Sequence, residues 1–157
     1  GLKHNGTHLI DFVKFLLGGF KDAQALGRVD DYVSDDPTIS FVASMRDGGL
    51  FVAQGVDSRV FTVFEIDLLF EKSRVRLLDS GFSLERSDVE TSNRFSGYQV
   101  LSPPQVTSTD LGQAMYNAVD HIRAILTENR KPICDVDDAY HTLIVAEHLA
   151  QRTRINV

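Results

Sequence analysis

Apolar residues at Leu9, Ile10, Phe12, Val13, Leu16 and Leu17 recur at steps of three and four, so residues 5–17 predict a helix. Asn5 stands where it can accept the first free backbone N–H groups, and Gly18-Gly19 ends the run. The pattern is apolar around most of the girth, which predicts burial on several sides and leaves a narrow polar stripe of His4, Thr7, His8 and Asp11. From Phe20 to Val106 the period becomes that of strands. β-Branched and aromatic residues concentrate in 38–45, 50–53, 60–70 and 75–84. Arg46-Asp47-Gly48-Gly49 reads as a hairpin turn, because glycine reaches the positive φ that such links require. Glu71-Lys72-Ser73 and Asp79-Ser80-Gly81 predict further antiparallel neighbours, and 30–37 and 90–105 read as surface loops.

Two helices close the chain. Leu111, Ala114, Met115, Ala118, Val119, Ile122, Ile125 and Leu126 predict one face packed on the sheet, and Lys131-Pro132 breaks the helix. Asp135 is placed to cap the last helix, with Asp137 and Asp138 in its first turn and Ala139, Leu143, Ile144 and Leu149 at buried positions. One helix, a run of strands and two helices describe an α+β fold, a mostly antiparallel open-faced sheet with helices on one face. The apolar run Phe61–Leu68 then calls for cover on the open face, and a homodimer joined sheet to sheet is the expectation.

Composition narrows the function classes. The length of 157 residues, 43% hydrophobic and 24% charged, predicts a single domain with a substantial core. A net charge of −6 with interleaved signs argues against nucleic acid or an anionic membrane as partner. No apolar stretch approaches the length of a membrane span, and the first residues given lack a charged start followed by an apolar signal core. Cys134, the single cysteine, rules out an internal disulfide, fits a reducing cytoplasm, and is expected to be a small buried residue before a helix. Gly1 in place of methionine reads as an excised piece, a processed product, or a residue left by cloning.

The chemistry centres on the polar stripe. Imidazole exchanges protons near neutral pH, and His8 in the first turn of a helix is suited to act neutral as a donor to a substrate oxygen. The plain alternative is that His8 bonds a backbone carbonyl where helix meets sheet. His4, His8 and Asp11 also have a spacing at which one helix face can ligate a metal ion. No glutamate of the zinc-protease type stands between the histidines, and Asp11 can pair with Lys14, so no metal is expected. His121, His141 and His148 lie among solvated or packing positions and carry no assigned role.

Gly6-Thr7-His8-Leu9-Ile10-Asp11 followed by Phe15-Leu16-Leu17-Gly18 resembles the opening of the second domain in the glucose–fructose oxidoreductase and inositol dehydrogenase family. There a Gly-x-His-x-x-Asp segment starts a helix ending in Leu-Leu-Gly. Asp47-Gly48, Phe64-Glu65-Ile66 and Asp138-Ala139 follow in the family's order. Two positions depart from it: His4 replaces an aspartate, and Phe70-Glu71-Lys72 stands where a glycine-containing turn is common. The resemblance implies a fold like the C-terminal domain of glyceraldehyde-3-phosphate dehydrogenase. It also implies that His8 is catalytic, that His4, Asn5 and Tyr98 contact substrate, and that Arg94 and Gln99 lie in a loop approaching a sugar.

Family members carry a preceding dinucleotide-binding domain with a Gly-rich fingerprint and a Glu-Lys-Pro segment. Gly18-Gly19, Gly48-Gly49 and Arg130-Lys131-Pro132 match neither. The expectation is therefore the substrate-binding and oligomerisation domain of an NAD- or NADP-dependent oxidoreductase acting on a sugar, polyol or nucleotide-sugar hydroxyl. It would be inactive alone, with no cofactor on this chain. The alternatives are a non-catalytic dimerisation or ligand-binding module and a metal-dependent hydrolase built on His4, His8 and Asp11.

Overall fold

The computed structural model describes residues 1–29 and 35–152, so most of the loop 30–37 lies outside the described residues. Its helices are α1 (Thr7–Leu17), α2 (Ala114–Glu128) and α3 (Val136–Arg152). Its strands are β1 (Phe20–Val29), β2 (Thr38–Met45), β3 (Leu50–Ala53), β4 (Ile66–Leu69), β5 (Ser73–Leu78), β6 (Ser83–Thr91), β7 (Gln99–Leu101) and β8 (Gln105–Ser108). The architecture is α+β, with every strand pair antiparallel. The strands form two sheets, where the sequence suggested one, and the chain divides into two compact units: Gly1–Thr62 with Ile133–Val157, and Val63–Pro132.

In the first unit β2 lies between β1 and β3. Strict alternation in β2 buries Ile39, Phe41, Ala43 and Met45 on one face. Against that face pack Ile10 of α1, Ala146 and Leu149 of α3, and Leu2. Phe51 stacks on Phe20 at 5.9 Å and meets Phe41 edge-on at 5.5 Å, which closes the β3 side of the core. The hairpin at Asp47 to Gly49 forms as expected, with Gly48 and Gly49 at positive φ.

Helix α1 ends at Leu17 before Gly18 as expected, but differs from its expectation at its start and in its burial. A wide turn, Leu2–Gly6, precedes it, in which the Gly6 N–H reaches back five residues to the Gly1 carbonyl at 3.1 Å. Asn5 is exposed and caps nothing. The cap comes from a distant loop: the Asp36 carboxylate accepts the N–H groups of Lys3 at 2.6 Å and His4 at 3.2 Å. Nor is the helix buried all round, because Phe15 and Leu16 are exposed.

The second unit holds the order β4-β5-β6-β7, with β8 beside the first half of β6. Paired residues share a face, so Ile66, Leu68, Val75, Leu77 and Leu84 lie together on one side, with the Arg86–Asp88 ion pair at its edge. The other side carries an ion network in which Arg74 forks onto Asp67 and Arg76 bonds Glu85. The β5–β6 link needs Asp79, Ser80 and Gly81 all at positive φ.

Four expectations fail here. Only Ile66–Leu69 of 60–70 is strand, since Asp57 accepts the Arg59 N–H and guanidinium and turns the chain just before it. The run 75–84 spans the end of one strand and the start of the next, and 90–105 contains the end of β6 and all of β7. Helix α2 buries Ala124, while Met115, Val119, Ile122 and Leu126, assigned to the sheet, are exposed.

The last helix follows its predicted start. Asp135 accepts the N–H groups of Asp137 at 3.0 Å and Asp138 at 3.2 Å, and Asp138 returns a bond to the Asp135 N–H at 3.3 Å. Its buried positions are Thr142, Ala146 and Leu149; Ala139, Leu143 and Ile144 are exposed, a stripe rotated from the expected one.

Candidate functional site

Ile10 and Val13 fix which side of α1 faces the core, and that places His4 and His8 on the opposite, exposed side. Among the described residues the His8 side chain makes no hydrogen bond or ion pair, so the backbone-carbonyl role considered for it has no counterpart there. Because the turn Leu2–Gly6 precedes α1, His8 lies in the second turn of the helical run, one turn beyond the expected position. His4 is held through its backbone, its N–H on Asp36 and its carbonyl accepting the Thr7 hydroxyl at 2.7 Å. Both imidazoles, with the exposed Asn5 beside them, are accessible to a ligand.

Behind this surface α1 is tied to α3 by polar contacts that sequence reasoning found only in part. The Lys14 ammonium, 14% exposed, donates to the Asp138 carbonyl at 2.6 Å and the Thr142 hydroxyl at 3.2 Å. Thr142 donates in turn to Asp11 at 2.9 Å, and Asp11 pairs with Lys14 at 3.8 Å as anticipated. Asp138 and Thr142, four apart on the stripe that continues into Ala146 and Leu149, were the available signal that polar groups line this helix contact. Engaged in this way, Asp11 serves the helix packing. Among the described residues no cluster of three or more histidine, cysteine, aspartate or glutamate side chains has metal-holding geometry.

Cys134 is exposed, contrary to its expected burial, because it sits in the segment before α3 where no apolar layer covers it. Partial desolvation, then the negative charges of Asp11 and Asp138, push its thiol above the ordinary cysteine range. That favours the protonated thiol, the opposite of what a nucleophile or metal ligand needs.

Tyr98 belongs to the other unit. It closes the β6–β7 hairpin, where its N–H reaches the Phe95 carbonyl at 3.3 Å, its own carbonyl accepts from Ser92 at 2.9 Å, and its ring meets Phe95 edge-on at 6.2 Å. The Ser92 hydroxyl accepts the N–H groups of Arg94 and Phe95, so the loop is internally braced with Tyr98 exposed. Gln99 opens β7.

The glycine pairs occupy a helix-to-strand corner and a strand-to-strand hairpin. Neither is the strand-to-helix turn on which a dinucleotide pyrophosphate rests, so these residues do not fit a nicotinamide cofactor. No helix among the described residues is long and apolar enough to cross a membrane.

No family model and no curated protein matches the sequence. Solved structures do. A protein of Desulfitobacterium hafniense assigned as an NADPH-dependent oxidoreductase is similar with a TM-score of 0.70 at 16% identity, over 97% of this chain and 45% of that one. A UDP-N-acetylglucosamine 3-dehydrogenase of Acidithiobacillus ferrooxidans is similar with a TM-score of 0.64 at 13% identity, over 92% of this chain and 44% of that one. The chain has the fold of part of these oxidoreductases. It spans just under half the length of each.

Proposed function

We propose that this chain is the substrate-binding part of a nicotinamide-dependent oxidoreductase acting on a sugar, polyol or nucleotide-sugar hydroxyl. The observation that carries the reading is the fold likeness, which runs through 97% of this chain yet reaches only 45% of the matching oxidoreductase. A site shared between this fold and a cofactor-binding part elsewhere in the intact protein accounts for both figures. NAD or NADP would belong to that other part.

Within this chain His8 is the residue assigned to the chemistry. Oxidising an alcohol to a carbonyl releases the hydroxyl proton, and an exposed imidazole on a helix anchored to the core is suited to take it up. His4 and Asn5 beside it are the proposed substrate contacts of this unit, and Tyr98, on its braced hairpin, is the one proposed for the other unit. The protein is proposed to work in the cytoplasm, where a free exposed thiol such as Cys134 persists, and to pair with a second copy of itself.

The test uses the protein expressed from its complete reading frame, assayed for NAD or NADP reduction across sugars, polyols and nucleotide sugars. Turnover is expected for one of these classes, with His8→Asn lowering kcat by roughly 100- to 10,000-fold while the melting temperature holds. Absence of turnover with every class, full kcat in His8→Asn, or micromolar NAD(H) binding by residues 1–157 alone would each overturn the reading.

A further inference from the structure

Two consecutive residues of a distant loop hold the turn that carries His4. The Asp36 carboxylate accepts the Lys3 N–H through Oδ1 at 2.6 Å and the His4 N–H through Oδ2 at 3.2 Å, and the Pro37 carbonyl accepts the Leu2 N–H at 2.9 Å. Three successive backbone donors ahead of α1 are thereby satisfied from outside the helix. Loop and turn cross closely: a Cβ built on Gly1 would overlap the Asp36 carbonyl oxygen, so only glycine fits at the crossing. Leu2 and Pro37 are buried beside it, which roots the clamp in the core.

The turn depends on such a clamp. Its winding, with the Gly6 N–H on the Gly1 carbonyl five residues back, is a rare one that occurs mostly as single turns at functional sites. His4 is exposed, and among the described residues its imidazole makes no hydrogen bond or ion pair, so nothing holds His4 except its backbone. The remaining side-chain tie of the turn, Lys3 to Glu147 at 2.9 Å, joins two side chains that are each more than a third exposed and is correspondingly weak. His8 is placed differently. It stands within α1, which Ile10 and Val13 fix in the core and Asp11 and Lys14 fix on α3. Loss of the Asp36 carboxylate therefore loosens His4 and leaves His8 in place.

We infer, on the reading of His4 as a substrate contact, that Asp36 is a positioning residue of the substrate site. Through the Lys3 and His4 N–H groups, from 33 and 32 positions away along the chain, it fixes the backbone from which the His4 imidazole projects. It touches no substrate itself. A turn already ordered before substrate arrives removes the entropic cost of ordering it on binding, so the contribution of Asp36 falls on affinity and not on the chemical step.

In the complete protein, Asp36→Ala should raise KM for the substrate by roughly three- to tenfold with kcat unchanged, and Asp36→Asn should recover part of the loss. In a His4→Ala background Asp36→Ala should raise KM no further, because Asp36 acts through His4. Residues 1–157 give a readout that needs no turnover. In heteronuclear NMR the His4 amide and ring resonances should move towards those of unfolded chain in Asp36→Ala, while the His8 ring resonances stay where they are. A fall in kcat at unchanged KM, an effect on KM that adds in full to that of His4→Ala, or His4 resonances indistinguishable from wild type would overturn the inference. If the complete protein turns over no sugar, polyol or nucleotide sugar, the oxidoreductase reading fails, and the His4 resonances still decide whether Asp36 holds the turn.

Discussion

The Thr142 hydroxyl donates to the Asp11 carboxylate at 2.9 Å, joining α3 to α1 next to an ammonium, Lys14, that bonds both the same hydroxyl and the Asp138 carbonyl. Thr142 is 4% exposed, so the bond is made in a place water reaches poorly. Thr142→Val keeps the shape and removes the hydroxyl. Asp11 and Lys14 retain each other and partial hydration, so the expected loss of stability is about 1–2 kcal/mol by urea denaturation. Asp11→Ala in the Thr142→Val background should then add less than it does alone, because both changes remove the same hydrogen bond.

Asp36 reaches from a loop to the N-terminal turn before α1 and accepts two backbone N–H groups there. Asp36→Ala leaves those donors to water. A loss of about 1 kcal/mol is expected, with Asp36→Asn intermediate because an amide oxygen still accepts while the charge opposite the helix dipole is gone. Thermal melts of the three proteins check the order. Asn5→Ala should leave stability within about 0.5 kcal/mol, since its side chain caps nothing.

These two contacts mark where sequence reasoning stopped. Local rules located what local chemistry decides: the Asp135 cap, the glycine hairpin, the alternation of β2, and the buried position of Leu149. Asp36 capping a turn more than thirty residues away in sequence has no local signature, and Asn5, which has one, stands idle. The helical stripes of α2 and α3 were assigned by hydrophobicity alone, which finds an apolar face without saying whether this chain covers it. In α3 a polar pair, Asp138 and Thr142, took the inward positions because Lys14 was there to meet them. Of the candidate site, His8 was legible as chemistry, but its exposure and freedom from internal partners are facts of the fold.

Cys134 combines exposure with a raised thiol pKa, caused first by desolvation and then by Asp11 and Asp138. Because only the thiolate reacts, alkylation by iodoacetamide near pH 8 should be slower than that of a free cysteine in unfolded chain, despite the open position. The rate should climb with pH through a midpoint above the ordinary thiol value. Asp138→Asn removes one of the opposing charges, and should bring that midpoint down while leaving the rate at high pH unchanged. A midpoint that does not move would show that the Asp138 carboxylate does not act on this sulfur.

The fork between Arg74 and Asp67 predicts the direction of an acid effect. Hydrogen bonds from the guanidinium hold the Asp67 carboxyl below the ordinary aspartate range, so the folded state binds its proton more weakly than the unfolded chain does. A depressed folded pKa contributes stability that is fully present above the unfolded value of 3.8 and is lost as pH falls through the folded value. Both side chains are more than a third exposed, so screening limits the contribution to about 1 kcal/mol or less. Asp67→Asn should therefore destabilise the protein slightly at pH 7, and the difference from wild type should shrink as pH is lowered from about 4 towards 2. Raising the salt concentration at pH 7 should shrink it as well. Urea midpoints measured across that pH range test the claim, and a difference that grows in acid would contradict the assignment of Asp67 as the low-pKa partner of Arg74.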